Sequence, residues 1–337
     1  MPIVSAKEAG RFVGSETCAS CHPKQAKDHA HSLHSRTLAS LEQSDAFKQV
    51  QFNQPIDDAA LGMTYTWRMD GDKPVCRVYR HRDGATEEMT PKYVVGSGHH
   101  GYTFLFEKKG VFMESRLSYY PPARRWTWTP GQEDQTPFRA PMGRVLPADV
   151  TFSCFVCHST NLVHEGEQAL PEQSRFNVGC ERCHGPGKEH VEEARAGVKP
   201  GHVWNYRGAS ADTVMRLCGE CHRQPGAIPE GQLEAAPDLA RFAGTALAAS
   251  KCYQRSNGRL SCLSCHNPHT RVSTDLSAYN RVCMSCHTGK PVAQKLCPVK
   301  PTGGCVSCHM PTSSMPDPPE VKFHSHWIKP YPAEEKH

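Results

Sequence analysis

A short cysteine–histidine pattern, Cys-x-x-Cys-His, recurs seven times along the 337-residue chain. It stands at Cys18, Cys21 and His22; at Cys154, Cys157 and His158; at Cys180, Cys183 and His184; and at Cys218, Cys221 and His222. It stands again at Cys262, Cys265 and His266; at Cys283, Cys286 and His287; and at Cys305, Cys308 and His309. With 17 Cys and 20 His in the chain, composition alone yields roughly 0.05 chance occurrences, so seven are not accidental. On a helical turn, positions i, i+3 and i+4 share one face. Two thiols and one imidazole then point the same way, the thiols toward the two vinyl groups on one porphyrin edge and the imidazole toward the iron. That is the chemistry of covalent haem attachment. A single Cys-x-x-Cys also fits half of a zinc site or a redox dithiol. Neither requires a histidine directly after the second cysteine, and here it follows every time. The pattern predicts seven haem c groups, with the fourteen motif cysteines as thioethers and the seven motif histidines as proximal iron ligands.

Each iron then needs a second axial ligand or keeps an open position. Thirteen histidines lie outside the motifs, and imidazole is the favoured low-spin partner. The candidates for the distal side are His34, His99 or His100, His164, His190, His202, His269 and His326. His29, His31 and His324 stand in reserve, while His81 and His337 read as surface residues. Met310 directly follows a proximal histidine, is poorly aimed at the same iron, and reads as packing.

Three cysteines remain. Cys252 and Cys297 flank the fifth and sixth motifs and are the pair expected to form a disulfide in an oxidising compartment. Cys76 reads as a small buried residue or an unpaired thiol in a strand. No apolar run approaches the ~18 residues that cross a bilayer. The opening Met-Pro-Ile-Val-Ser-Ala-Lys-Glu lacks the apolar stretch of a secretory leader. Haem is attached to cysteine after export, so the expectation is a periplasmic or extracellular protein whose leader is removed or unrecorded. The formal charge of +5 belongs to the polypeptide only. Two propionates per haem, one offset by a ferric iron, bring the oxidised total to about −2. Together with the lack of a Lys/Arg run, this argues against a nucleic-acid partner.

The elements that must position these groups are unevenly distributed. Successive motifs start 136, 26, 38, 44, 21 and 22 residues apart, so one attachment site is isolated near the start and six are crowded together. Hydrophobic residues make up only 38% of the chain, and Gly and Pro contribute 26 and 27 residues. Large apolar cofactors filling the interior would explain so thin a side-chain core. Residues 61–120 read as β-structure. Residues 63–68 and 75–79 flank the turn Asp70-Gly71-Asp72, and residues 102–106 and 111–117 flank Lys108-Lys109-Gly110 as a second hairpin. The stretch 121–131 reads as irregular chain against a haem face, with Trp126 and Trp128 filling core in preference to stacking on a porphyrin. Helices are expected over 23–40 and 235–250, and an extended Pro-rich tail after Met310. The expected fold is mostly irregular chain and short α-helices wrapped around packed haems, with a small antiparallel β insert and little regular secondary structure. The expected divisions are 1–59 with the first haem, a β-rich insert over 60–131, a six-haem block over 132–310, and a tail over 311–337.

Several segments carry a family resemblance. Gly14-Ser15-Glu16-Thr17-Cys18 with Ser32-Leu33-His34 resembles the opening of multihaem c-type cytochromes of the tetrahaem/octahaem respiratory group. Gly179-Cys180-Glu181-Arg182-Cys183-His184-Gly185-Pro186-Gly187, Cys265-His266-Asn267-Pro268-His269 and Cys308-His309-Met310-Pro311 are similar to its later segments. Gly96-Ser97-Gly98 and Arg125-Trp126 with Pro130-Gly131 are similar to its β insert. The resemblance covers about residues 12–328. It implies bis-histidine haems in closely packed pairs and favours His34, His190, His269 and His326 as distal ligands. It leaves the substrate open, because the group holds both carriers and enzymes.

The leading expectation is an electron carrier working between other redox proteins or a membrane respiratory complex. A second is an oxidoreductase acting on a nitrogen or sulfur oxyanion at one open iron, with the fourth motif (His222) as the candidate because its partner is least obvious. No motif carries Lys in place of its histidine, which removes one marker of nitrite reduction. A third is a subunit of a cytochrome filament or of a larger complex, with His31 or His324 reaching a neighbouring subunit.

Overall fold

Strands begin at residue 3 and recur as far as residue 324 in the computed structural model, which describes residues 3–132, 141–166, 168–229, 232, 242–287 and 303–331. The chain divides into two units, Met1–Val203 and Trp204–His337. The first unit is built on β-structure. Ile56–Asp58, Met63–Asp70, Lys73–Arg80 and Thr86–Met89 form a four-stranded antiparallel meander in sequence order. Alternation along Met63–Asp70 turns Tyr65 and Trp67 inward, each 1% exposed, as a half-buried strand requires. Thr103–Lys108 and Val111–Ser115 make the second hairpin. They lie within a five-stranded sheet that also takes Leu38–Ser40, Tyr93–Val95 and Gly143–Val145.

The two sheets meet over an aromatic core. Trp67 stacks on Trp126 with centroids 4.7 Å apart and planes 9° apart. Phe104 lies 4.7 Å from Trp67, and Tyr119 stands edge-on to Trp126. Trp126 Nε1 donates to the Gln51 carbonyl at 2.6 Å, which satisfies its one polar atom. Cys76 lies in the same cluster, 1% exposed, and burial pushes its thiol pKa up. Beside this core, Arg116 and Asp58 form a buried ion pair at 2.5 Å. The guanidinium also lies 4.8 Å from the centre of the Trp128 ring.

A further sheet gathers around Ser159–Glu165, the strand that leaves the second motif. Ile3–Val4 pairs with it in parallel, and Gln168–Ala169 and Arg175–Phe176 pair antiparallel. The second unit has helices at Ala211–His222, Ala243–Ala249, Lys251–Gln254, Cys262–Cys265, Leu276–Met284 and Cys305–His309. Its tail folds into a ladder of Thr312–Ser314 against Lys322–His324. No helix among the described residues is long and apolar enough to cross a membrane.

The expected fold class is therefore corrected. Five sheets replace a small β insert within mostly irregular chain and short helices. Most of the surplus strands are two to four residues long, too short to show a period, and the seven-residue Ser159–Glu165 takes a partner as far off as Ile3–Val4. Two local readings change for identifiable reasons. The helix expected over 23–40 ends at Ala30, where the Ser35 hydroxyl donates to the Ala30 and Ser32 carbonyls at 3.0 and 2.9 Å and competes with further helical bonds. Leu38–Ser40 is then drawn into the sheet by Tyr93–Val95. In the segment read as irregular, Arg125–Trp128 is a strand paired with Leu117–Tyr120. Of the helix expected over 235–250, Ala243–Ala249 is formed, and 235–241 lie outside the described residues.

Candidate haem centres

All seven motifs sit on helical turns, in two settings. The second and fourth occupy the C-terminal ends of Ala148–His158 and Ala211–His222, and the sixth begins near the end of Leu276–Met284. The third, fifth and seventh occupy short helices of their own, Cys180–His184, Cys262–Cys265 and Cys305–His309, and the first starts in Ser15–Ala19. Where the helix stops short of the histidine, the turn still closes. The amides of His22, His266 and His287 donate to the carbonyls of Cys18, Cys262 and Cys283 at 2.9, 2.9 and 3.0 Å. Both thiols and the imidazole of a motif therefore share a face.

The two cysteines of a motif differ in their surroundings. Among the second cysteines, Cys21, Cys265 and Cys286 are exposed, whereas Cys157, Cys183, Cys221 and Cys308 are half-buried. Cys157 and Cys221 are held inside the last turns of Ala148–His158 and Ala211–His222. Cys21 lies just past the end of Ser15–Ala19, where its amide donates to the Cys18 carbonyl at 3.2 Å and its Sγ accepts from the Ser20 hydroxyl at 3.8 Å. The sequence reading treats all fourteen thiols alike. The polypeptide covers them unequally, because three of the second cysteines sit where the turn meets solvent.

The motifs approach one another through their first cysteines. In the first unit, Cys18 and Cys180 are neighbours on the packed helices Ser15–Ala19 and Cys180–His184. In the second, Cys218 neighbours Cys262, and Cys283 neighbours Cys305. The helices Ala211–His222, Cys262–Cys265, Leu276–Met284 and Cys305–His309, which carry these four motifs, pack one against the next in that order. In the haem-bearing protein these sulfurs are thioethers, so each contact marks the approach of two attachment edges. A zinc ribbon would instead bring four ligands to one point. Among the described residues no three His, Cys, Asp or Glu converge in that way.

Two histidine pairs have the spacing of trans axial ligands. An imidazole nitrogen lies about 1.1 Å from its ring centre and bonds a metal at about 2.0–2.1 Å, so two trans ligands hold their centroids about 6.3 Å apart. His22 and His190 stand at 6.4 Å with planes 28° apart, and His266 and His326 at 6.1 Å and 41°. The tautomers agree. His190 Nδ1 lies 2.9 Å from the Gly201 carbonyl and His326 Nδ1 3.1 Å from the His324 carbonyl. A carbonyl only accepts, so the proton is on Nδ1 and the Nε2 lone pair is left for a metal. The proximal His158 and His309 are held likewise, by the Thr37 and Lys329 carbonyls at 3.0 Å each. Burial lowers the pKa of His158 and His266. It brings His326 to about 4, helped by the neighbouring His266. All three are neutral imidazoles near pH 7, the form that ligates.

The other candidates divide. His164, in Ser159–Glu165, has Nδ1 2.8 Å from the Gly166 carbonyl, and His31 and His324 have theirs on the Lys27 and Met310 carbonyls at 2.8 and 2.9 Å. His34 opens the short helix His34–Arg36, where its carbonyl accepts from the Val178 amide at 3.0 Å. His99 and His100 lie with ring centres 4.6 Å apart. Burial, then the neighbouring His99, lowers the pKa of His100 to about 4. His269 has Nδ1 3.2 Å from Asn267 Oδ1. His202 turns Nε2 to Glu193 at 3.0 Å, so the nitrogen that would face an iron faces a carboxylate. His81 bonds the Thr64 hydroxyl at the surface. Cys252 is half-buried within electrostatic reach of Cys265, Cys283 and Cys286. Its expected partner Cys297 lies outside the described residues, as does His337.

These features fit haem. The apolar core clusters among the described residues all lie in the first unit, so the second, which carries four motifs, has no side-chain core of that kind to enclose them. The residues that sequence reasoning missed are backbone acceptors, at Thr37, Gly201 and Lys329, together with the buried Glu181. A carbonyl has no signature in sequence. Glu181 did have one, as a carboxylate inside a motif.

Comparison with known proteins agrees. Residues 17–62 and 132–185, which hold the first three motifs, match the family described as cytochrome c554 and c-prime. Residues 256–292, which hold the fifth and sixth, match the doubled CXXCH motif. No curated protein matches the chain. The fold is similar to the crystal structure of the outer cell wall cytochrome OcwA, with a TM-score of 0.52 and 16% identity over 95% of this chain and 80% of that one. The repeated attachment turns, the two family matches and the shared fold together make the chain a multihaem c-type cytochrome.

Proposed function

We propose that the chain carries seven haem c groups, most of them with two histidine ligands, and conducts electrons between redox partners. One observation carries this reading: the four motifs of the second unit form a row, because the helices Ala211–His222, Cys262–Cys265, Leu276–Met284 and Cys305–His309 that carry them pack in succession. Attachment edges in sequence along a row bring their cofactors close together, which a conductor needs and a lone catalytic centre does not. Haem supplies the one-electron chemistry. The protein sets each potential through ligand, burial and nearby charge.

The pairs His22/His190 and His266/His326 support saturated coordination at the first and fifth motifs. An iron held between two imidazoles has no open position for an oxyanion, which favours a carrier over an enzyme. Its partners are then other redox proteins or a membrane respiratory complex. An exported location is in keeping with thioether attachment and with the similar fold of an outer cell wall cytochrome. Low-temperature EPR of the oxidised protein, with and without nitrite, hydroxylamine or sulfite, tests the reading. A carrier gives low-spin signals that ignore all three additions. A high-spin ferric signal that shifts with one of them would assign an enzyme instead.

A further inference from the structure

Glu181 lies between the two cysteines of the third motif and is 4% exposed. Its carboxylate does not face solvent. Oε1 accepts from the Val13 amide at 2.9 Å and the Gly187 amide at 2.8 Å, and Oε2 accepts from the Gly14 amide at 2.8 Å. Three backbone donors on one buried carboxylate form a strong, charge-assisted set. Two of them belong to the segment that leads into the first motif.

The surroundings leave this clamp little freedom. Gly14 has φ +87°, and a Cβ there would meet Glu16 Oε2 at 2.8 Å and Arg175 Nη1 at 3.0 Å. A Cβ on Gly187 would lie 3.1 Å from Val13 and 3.3 Å from Glu181 Oε1. The Cys180 amide donates to the Ser15 hydroxyl at 3.4 Å. The neighbouring segment ties in the second motif. Thr160 Oγ1 donates to the Asn177 carbonyl and accepts from the Gly179 amide, at 2.8 and 2.9 Å.

We propose that Glu181 is a positioning residue: it clamps the Val13–Gly14 backbone so that the first and third motifs meet at Cys18 and Cys180, and thereby fixes the electronic contact of the two haems they hold. This rests on the reading of the chain as packed haem pairs. A surface strap, the exposed Arg11–Glu189 pair at 2.8 Å, joins the same two regions and is not expected to share the role, because exposed pairs contribute little.

The test compares wild type with Glu181→Gln, Glu181→Ala and Arg11→Ala by pyridine haemochrome count and low-temperature EPR of the oxidised holoprotein. Wild type should show spin-coupled haem pairs. Glu181→Ala at full haem loading should lose the coupling of one pair, with two isolated low-spin signals in its place. Glu181→Gln, which keeps one acceptor oxygen, should lose it in part, and Arg11→Ala should match wild type. A fully loaded Glu181→Ala protein with unchanged coupling would overturn the role of Glu181. Absence of coupling in wild type would overturn the pairing on which it rests. Should the variants not assemble, hydrogen exchange on wild type decides: the Val13, Gly14 and Gly187 amides should exchange more slowly than their neighbours, and exchange at the rate of the adjacent loop overturns the clamp.

Discussion

His22 and His190 face each other with ring centres 6.4 Å apart, although one belongs to the first attachment turn and the other to the helix Lys188–Arg195 after the third. The gap matches the spacing of two imidazoles on one metal ion, and the Gly201 carbonyl keeps the proton of His190 on its other nitrogen. The helix that carries His190 begins at Gly187, whose amide donates to the buried Glu181.

Replacing His190 with Ala should leave haem content unchanged and convert one low-spin iron to high spin. The high-spin signal should disappear when free imidazole is added, because the truncated side chain leaves room for it. EPR with and without imidazole reads this. His81→Ala is the control and should leave the spectrum as it is.

In the second unit His326 stands in the same relation to a motif histidine, 6.1 Å from His266. His326→Ala should produce a second high-spin species, independent of the first. The double variant His190→Ala/His326→Ala should give twice the high-spin intensity of either single variant, because each substitution opens a different iron. A single-variant spectrum unchanged from wild type would remove that histidine from the ligand set.

The Arg116–Asp58 pair is a test of the β-rich part of the first unit. Both side chains are buried, and Asp58 also accepts from the Leu61 amide at 3.0 Å. Arg116→Met leaves a buried carboxylate without its counter-charge, a loss of about 3–5 kcal/mol. Asp58→Asn/Arg116→Met should recover much of it, since the Asn carbonyl still accepts from Leu61. Denaturant midpoints followed by tryptophan fluorescence measure both, with the haem spectrum of the folded protein unchanged.

His100 gives a pH dependence with a definite sign. Its folded value is lowered to about 4 from 6.5, so protonation favours the unfolded chain. Its contribution to stability is intact above about pH 6.5, falls as the pH drops toward 4, and levels off below. Between pH 7.5 and 4.5 wild type should lose more stability than His100→Gln, which has no proton to gain. Parallel losses in the two proteins would show that His100 does not titrate in this window.

The attachment motifs were legible in sequence, because thioether formation fixes residue type and spacing within five residues. What spacing does not carry is the unequal cover of the thiols, exposed at Cys21 and half-buried at Cys157 and Cys221, which depends on where each helix ends. The two hairpins, Met63–Asp70/Lys73–Arg80 and Thr103–Lys108/Val111–Ser115, were legible too, since their alternation and turn residues are local. The sheet around Ser159–Glu165 was not: Ile3–Val4 joins it across the whole first unit, and two residues carry no period. Distal ligands are hard for the same reason. A ligand's partner motif is a matter of tertiary contact, and only the backbone acceptors at Gly201 and His324 set the tautomers of His190 and His326. His202, a candidate on the same footing in sequence, has its Nε2 3.0 Å from Glu193.

Covalent attachment of seven haems to one chain is read by intact mass spectrometry of the denatured holoprotein. Thioether-linked haem survives denaturation, so a single species heavier than the polypeptide by seven haem masses is expected, with a pyridine haemochrome count of seven per chain. A polypeptide mass without added haem, or with clearly fewer than seven, would contradict it.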